Sequence, residues 1–199
     1  MATIEQVNAN LIKRGFKSVI AQTAEQATAL ALEIIGDGSV GFGGSVTLQR
    51  LNLYDSLVSR GNEVYWHWKN GAEDKRKSLC ADWYACSANA VTEDGVIIET
   101  DGSGNRIACL SFGPENALLI IGKNKIVKDC AEGVARIKSG ECAGLNAKRL
   151  GISTPCAADG KCRDCSSPHR MCSVTAFFER PSKGLNSVCV ILVNEELGY

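Results

Sequence analysis

The chain has 199 residues, with 22 acidic and 22 basic side chains and a formal net charge of zero. That length suits one domain, or one domain with a small appendage, and it is enough to bury a full core. No basic stripe runs along the sequence, which argues against a nucleic-acid partner. No apolar run of about 18 residues could cross a membrane, and the first residues lack the apolar core of a signal peptide. We therefore expect a cytoplasmic protein.

The first half of the chain alternates between helix and strand patterns. Thr3 and Thr23 each precede a helical apolar period and are followed three residues later by glutamine, which is a helix-start pattern. Gly15 and Gly36 end these two helices. We also predict strands over residues 18–21, 39–42 and 63–66, and one helix over residues 45–58. This βαβ alternation predicts a sheet with parallel strands that is covered by helices.

The second half begins with β-rich sequence. Residues 87–112 contain two β-rich runs, and we expect a hairpin with turns at residues 93–95 and 102–105. Residues 117–121 are strongly apolar, as in a strand at the centre of a sheet. Further predicted elements are helices over residues 129–138 and 146–150 and a strand over residues 188–193. The predicted organisation is an α/β domain over residues 1–150, a cysteine-rich segment over residues 151–186, and a C-terminal strand within residues 187–199 that returns to the α/β domain.

Four of the ten cysteines lie within seventeen residues, namely Cys156, Cys162, Cys165 and Cys172. Thiolates are soft ligands, and four of them can close a tetrahedral zinc site or hold a cubane iron–sulfur cluster. The spacing is wider than the paired C-x2-C knuckles of a zinc ribbon, so we favour a [4Fe–4S] cluster over zinc. Free thiols or two disulfides are the alternatives. The scattered cysteines, such as Cys109 and Cys189, lie in apolar stretches and are predicted to be buried side chains.

A glycine turn joins the strand at residues 39–42 to the next helix. Gly43 and Gly44 let a ligand approach the backbone, and Ser45 adds a hydroxyl group. Free N–H groups at the helix start would then face an anion. The alternative is a tight turn in which Ser45 only caps the helix. The turn matches neither a Walker loop nor the GxGxxG pattern, so it does not indicate a nucleotide.

Further polar residues lie in turns that could converge on the glycine turn. An arginine or lysine there would neutralise an anion, and a carboxylate would move a proton. The alternative is that each residue only stabilises its own turn. His67 lies between two tryptophans and is interpreted as the packed end of a strand. The predicted ligand-binding residues are Gly43, Gly44, Ser45, Asn89, Asn105, Arg106, Lys123, Asn124 and Lys125, with Glu93 and Asp101 as candidate catalytic groups.

Taken together, these segments resemble the lactate-utilisation (LUD) domain family. The resemblance implies an α/β fold with a mixed, mainly parallel sheet flanked by helices, similar to ribose-5-phosphate isomerase and CoA transferases. In that fold a glycine-rich loop after a strand holds an anionic substrate. It also implies a link to L-lactate oxidation beside iron–sulfur proteins. The resemblance rests on residues 41–48, 87–114, 120–129, 146–150, 155–174 and 190–199.

The leading hypothesis is a redox-linked accessory protein. It would bind a small anionic metabolite such as a 2-hydroxy acid, carry a [4Fe–4S] cluster and work with iron–sulfur oxidoreductase partners. One alternative is an isomerase or acyl-transfer enzyme with a structural zinc site, and another is a non-catalytic sensor of small anions. The sequence leaves open whether the chain is an enzyme and whether it forms a homo-oligomer.

Overall fold

The larger of two β-sheets forms the centre of the molecule, in a computed structural model that describes residues 2–140 and 142–199. Its six strands all run parallel. In order across the sheet they are β1 (Lys17–Ala21), β10 (Ser187–Val193), β7 (Asn116–Gly122), β4 (Trp83–Cys86), β2 (Val40–Phe42) and β3 (Val64–Trp66). The predicted α/β class with a mainly parallel sheet is therefore confirmed.

The inner strands are buried on both faces. Every residue of β10 is buried, and so is every residue of β7 after Asn116. Alternate side chains of these strands enter two apolar clusters on opposite faces of the sheet. Leu118 and Ile191 face one cluster, whereas Leu119 and Val190 face the other. Such strands have nearly continuous apolar sequences, which is why residues 117–121 were predictable.

Helices cover both faces of this sheet. The first two are α1 (Ile4–Lys13) and α2 (Ala24–Ile35), and the threonines that precede them cap them as predicted. The single helix predicted over residues 45–58 is wrong, because the chain forms α3 (Val46–Arg50) and α4 (Leu53–Ser59). Asn52 separates the two with a left-handed backbone (φ 52°), a conformation that asparagine tolerates better than most residues.

The remaining α-helices of the described ranges have four to nine residues. The prediction of a strand after residue 105 is wrong, because residues 105–111 form a helix. Asp101 explains this, since one of its carboxylate oxygens accepts from the backbone N–H groups of Arg106 (2.8 Å) and Ile107 (3.1 Å). The helices are α5 (Asp74–Lys77), α6 (Asn105–Ser111), α7 (Cys130–Lys138), α8 (Ala143–Arg149) and α9 (Pro155–Asp159). None of the helices in the described ranges is long and apolar enough to cross a membrane.

The second sheet has four strands, and part of the cysteine-rich segment belongs to it. The predicted hairpin turn at residues 93–95 joins two antiparallel strands of this sheet. Residues 160–173, which we call the cysteine loop, contain neither helix nor strand and lead into its outer strand. In order across the sheet the strands are β8 (Ile126–Val127), β5 (Ala90–Thr92), β6 (Ile97–Asp101) and β9 (Val174–Phe178).

Candidate functional site

A cavity of about 60 Å³ lies at the carboxyl ends of the parallel strands. Gly44 and Ser45 reach it from the end of β2, Ser87 from the end of β4, and Lys125 from the end of β7. The carboxyl ends of parallel strands meet at one edge of a sheet, where α/β proteins bind their ligands. The parallel sheet therefore brings together residues that are far apart in the sequence.

Lys125 is the buried cation of this cavity. Its side chain is almost completely covered, with 3% of the residue exposed. Its Nζ donates to Ser87 Oγ (2.9 Å) and Thr47 Oγ1 (3.1 Å), which are neutral hydroxyl groups. Burial lowers the pKa of Lys125 from 10.5 to about 8, although Glu99 acts in the opposite direction. The ammonium group is therefore charged at neutral pH but loses its proton more readily than an exposed lysine does.

Arg106 is the second cation, and carboxylates of the protein already surround it. Its Nη1 lies 2.6 Å from Glu99 Oε1, and its Nε lies 2.7 Å from Asp101 Oδ1. Its Nη2 donates to the carbonyl oxygen of Thr100 at 2.6 Å. Burial alone would lower the pKa of Arg106, but Glu99 and Asp101 raise it, so the guanidinium stays charged. Arg106 therefore lines the cavity and also connects residues 99–101 of β6 beneath it.

Glu99 is a buried carboxyl group that the sequence-based prediction missed. It is completely covered, and its Oε2 accepts from the backbone N–H of Asn89 at 3.0 Å. Burial raises the pKa of Glu99 to about 8, even though Arg106 lowers it. Because Glu99 and Asp101 share one guanidinium, we assign the proton to Glu99 at neutral pH. With Lys125 charged, this cluster then carries net positive charge, which favours an anionic ligand.

Asp101 has a structural role in this geometry. One carboxylate oxygen caps the start of α6, and the other pairs with the Arg106 side chain. Its predicted part in proton transfer would require it to leave those contacts. Gly43 is also structural, because a Cβ atom at this position would lie 2.9 Å from the side chains of Arg106 and Cys86. Only glycine lets the glycine turn pack this closely against Arg106.

The cavity shares five lining residues with a wider cleft of about 460 Å³. The predicted residues Asp101 and Asn105 line this cleft, and so does the half-buried His67. Burial and Lys75 lower the pKa of His67 to about 4, so its imidazole is neutral near pH 7. The cysteine loop borders the cleft through its residues 168–171. The residues common to the cavity and the cleft are Gly44, Trp68, Arg106, Asn146 and Met171.

Trp68 and Tyr199 line the cavity and were not predicted, and Arg149 packs against both. The Arg149 guanidinium carbon lies 4.1 Å from the centroid of the Trp68 ring, and its Nε lies 3.3 Å from the Tyr199 hydroxyl group. That hydroxyl donates to Asn146 Oδ1 at 2.9 Å. A Cβ atom on Gly44 would meet the Trp68 ring at 3.0 Å. No local sequence pattern connects these residues, since the fold alone brings the last residue of the chain to α8.

Besides Gly43, three predicted residues lie outside the cavity and the cleft, namely Glu93, Lys123 and Asn124. Glu93 faces the start of the chain, where its Oε1 accepts from the Ala2 N–H at 2.6 Å. Lys123 is exposed, and its Nζ lies 3.5 Å from the Asn194 side chain. Asn124 accepts from the Leu197 N–H at 3.1 Å and so fixes the C-terminal residues. The predicted residues that do line the cavity are Gly44, Ser45, Asn89, Arg106 and Lys125.

The four clustered cysteines are free and partly exposed, and they do not form a joint site in this structure. Within residues 2–140 and 142–199, no three His, Cys, Asp or Glu side chains are placed to hold one metal ion. The Arg170 side chain instead donates to the carbonyl oxygens of Cys165 (2.9 Å) and Cys172 (3.1 Å). Arg163 pairs with Asp159. The residues as placed do not fit the predicted four-thiolate centre, which stays a prediction.

The family model identifies the family of this chain, and a solved structure supports its fold. A sequence model of the LUD domain matches residues 4–193. The fold is similar to that in a 1.70 Å crystal structure of a DUF162 family protein from Deinococcus radiodurans. The two chains are 14% identical, the match covers 96% of each, and the TM-score is 0.58. A search of curated proteins found no match. At this identity the solved structure supports the fold and carries no information about the ligand.

Proposed function

The chain belongs to the LUD domain family, and from this premise we propose that it is a lactate-utilisation-like protein whose cavity binds a small carboxylate such as a 2-hydroxy acid. The observation that carries the proposal is the buried Lys125 ammonium group in a cavity at the strand ends. An uncompensated buried cation is costly. A carboxylate that fills the cavity would remove much of that cost, because it would pair with the cation away from water.

The other cavity residues support a hydroxy acid of about three carbons. The hydroxyl group of Ser87 lies 2.9 Å from Lys125 Nζ and can exchange hydrogen bonds with a ligand hydroxyl. Trp68 and Ala88 supply apolar surface for the carbon atoms. The narrow cavity suits a small acid better than a sugar phosphate, which would have to extend into the wider cleft.

The redox part of the proposal lies outside the cavity. Oxidation of a hydroxy acid requires an electron acceptor, and we assign that task to an oxidoreductase partner that works with this accessory protein. The [4Fe–4S] centre on the four cysteines is a separate prediction, and no step of the proposal depends on it. The cysteine loop borders the cleft through residues 168–171, so a partner that docks there would lie close to the bound acid.

Calorimetric titration at pH 7 tests the proposal, with L-lactate, D-lactate, acetate and ribose 5-phosphate as probes. We expect a lactate enantiomer to bind best. Lys125→Met should weaken that binding roughly 10- to 100-fold, as expected when a hydrogen bond to a charged group is lost. Lys123→Met is the matched control, because Lys123 is only two residues away but exposed. Tighter binding of ribose 5-phosphate, or unchanged lactate binding by Lys125→Met, would contradict the proposal.

A further inference from the structure

We infer that Lys125 is a nucleophile that forms an imine with a 2-oxo acid in the cavity. This inference rests on the proposed function, since a 2-oxo acid is the compound that remains when a 2-hydroxy acid loses two electrons and two protons. The cavity would then hold both redox forms of its ligand. The hydroxy acid would bind as an ion pair, and the oxo acid would bind covalently to the same nitrogen atom.

Lys125 is placed where its amine can meet a ligand in the cavity. The side chain starts from the turn of residues Lys123–Lys125 at the end of β7, and its end lies between two hydroxyl groups inside the cavity. Among the described residues it has no carboxylate at ion-pair distance, because Glu99 and Asp101 contact Arg106 instead. A lysine amine reacts with carbonyl compounds when burial or a nearby cation, rather than an ion-pairing acid, determines its charge state. Lys125 meets that condition.

The charge state of the Lys125 amine also favours this reaction. Only a neutral amine has the lone pair that attacks a carbonyl carbon. Burial lowers the pKa of Lys125 to about 8, with Arg136 and Arg106 acting in the same direction and Glu99 and Cys142 in the opposite direction. Near pH 8 about half of the chains would therefore carry the neutral amine. An exposed lysine, with a pKa of about 10.4, carries it in well under a hundredth of chains at pH 8.

The step balances without an external oxidant or reductant. The Lys125 lone pair forms the C–N bond to C2 of the oxo acid, and the C=O π electrons move to the oxygen atom, which takes a proton. A second proton then converts that hydroxyl group into the leaving water as the C=N bond forms. One proton moves from nitrogen to oxygen, so neutral amine, ketone and one added proton give a protonated imine and water. The hydroxyl group of Ser87, 2.9 Å from Lys125 Nζ, is placed to relay these protons.

The product suits the cavity electrostatically. A protonated imine keeps the positive charge at the Lys125 nitrogen, so the acid's own carboxylate still has a cation beside it. The contacts of Arg106 with Glu99 and Asp101 need not change. The small volume also limits the reaction to short acids, because a longer chain would have to pass Trp68. These features favour pyruvate-sized 2-oxo acids as the reacting class.

Borohydride trapping tests the inference. The protein is mixed with pyruvate and sodium borohydride, which reduces an imine to a stable secondary amine, and the product is analysed by intact mass and peptide mapping. We expect one adduct per chain, at Lys125. Lys125→Met should lose the adduct, and the exposed Lys128→Met should keep it. An adduct that persists in Lys125→Met, or that is spread evenly over exposed lysines, would overturn the inference.

L-lactate separates this inference from the proposed function, because it has no carbonyl group and cannot be trapped. Lactate binding without a pyruvate adduct would overturn the imine alone, whereas loss of both would overturn the proposed function as well. The pH dependence gives a second readout that a misfolded variant cannot imitate. As pH rises through about 8, the trapping rate should increase while lactate affinity decreases, since the two need opposite charge states of Lys125. Parallel pH profiles would overturn the imine.

Discussion

The cavity and the cysteine loop both contain arginine–carboxylate pairs, but they differ in burial. In the cavity the side chain of Arg106 is 15% exposed and that of its carboxylate partner Asp101 is 5% exposed. Next to the cysteine loop the Arg163 and Asp159 side chains are 53% and 40% exposed. An exposed pair contributes little to stability, whereas a buried pair becomes costly when one partner is removed. The comparison shows that similar ion pairs can have very different structural importance.

The acid–base behaviour of the two regions differs for the same reason. In the cavity, burial raises the pKa of Glu99 and lowers the pKa of Lys125. Near the cysteine loop, hydrogen bonds from Arg163 and Lys161 lower the pKa of Asp159, and Arg170 lowers the pKa of Asp164. These two carboxylates therefore stay charged at neutral pH. In the cavity, by contrast, a charge change of Lys125 can be coupled to ligand binding near pH 8.

The largest expected effect is that of Arg106→Ala. This change leaves the Asp101 carboxylate buried without its cation and the Glu99 carboxyl group without its Arg106 contact, which costs about 3–5 kcal/mol of unfolding free energy for a broken buried pair. Urea unfolding at pH 7 would measure it. Arg163→Ala is the matched control, and we expect no measurable change, because its pair with Asp159 is exposed to solvent. Equal effects of the two substitutions would remove the distinction between the regions.

The next largest effect concerns pH and Lys125. Between pH 8 and 10.5 the unfolded chain still holds the lysine proton, whereas the folded protein has lost it, so unfolding free energy should increase with pH across this window. The expected gain from Lys125 is about 3 kcal/mol, because a difference of one in pKa corresponds to about 1.4 kcal/mol. Lys125→Met should lack this gain, and Lys128→Met should keep it. If unfolding free energy depends on pH in the same way in the wild type, Lys125→Met and Lys128→Met, then burial does not lower the pKa of Lys125.

Much of the fold could be predicted because its signals are local. The caps at Thr3 and Thr23 and the apolar run of β7 each identify an element within a few residues. The two wrong secondary-structure predictions depended on a side-chain contact across a turn and on one backbone angle. The Asp101 carboxylate starts α6 where the composition suggested a strand, and the left-handed Asn52 divides a helix that its apolar period would continue.

The candidate site was harder to predict, because burial decides it and burial depends on the whole fold. Lys123 and Lys125 look alike in the sequence, yet one is exposed and the other is enclosed by the ends of three strands. Glu93 and Glu99 lie in one hairpin, and Glu93, which is in the turn, was predicted as a catalytic group instead of the buried Glu99. A usable signal was present for Glu99, since it is a charged residue that directly follows two isoleucines in a buried strand.

The smallest expected effect on stability is that of Cys165→Ser, and here the measured quantity is metal content. Cys165 is half-buried in a loop without regular structure, so the metal-free variant should unfold at the same urea concentration as the metal-free wild type.

If the four cysteines bind a [4Fe–4S] cluster, anaerobically purified wild type should contain iron and sulfide. The variant should lose most of both, because a four-ligand site then lacks a ligand. Cys109→Ser is the control that should keep them, since Cys109 is buried in α6. Because the four cysteines as placed do not fit one metal centre, cluster binding must rearrange the cysteine loop. Zinc without sulfide would instead favour the structural-zinc alternative, and a wild type without either metal would refute the predicted centre.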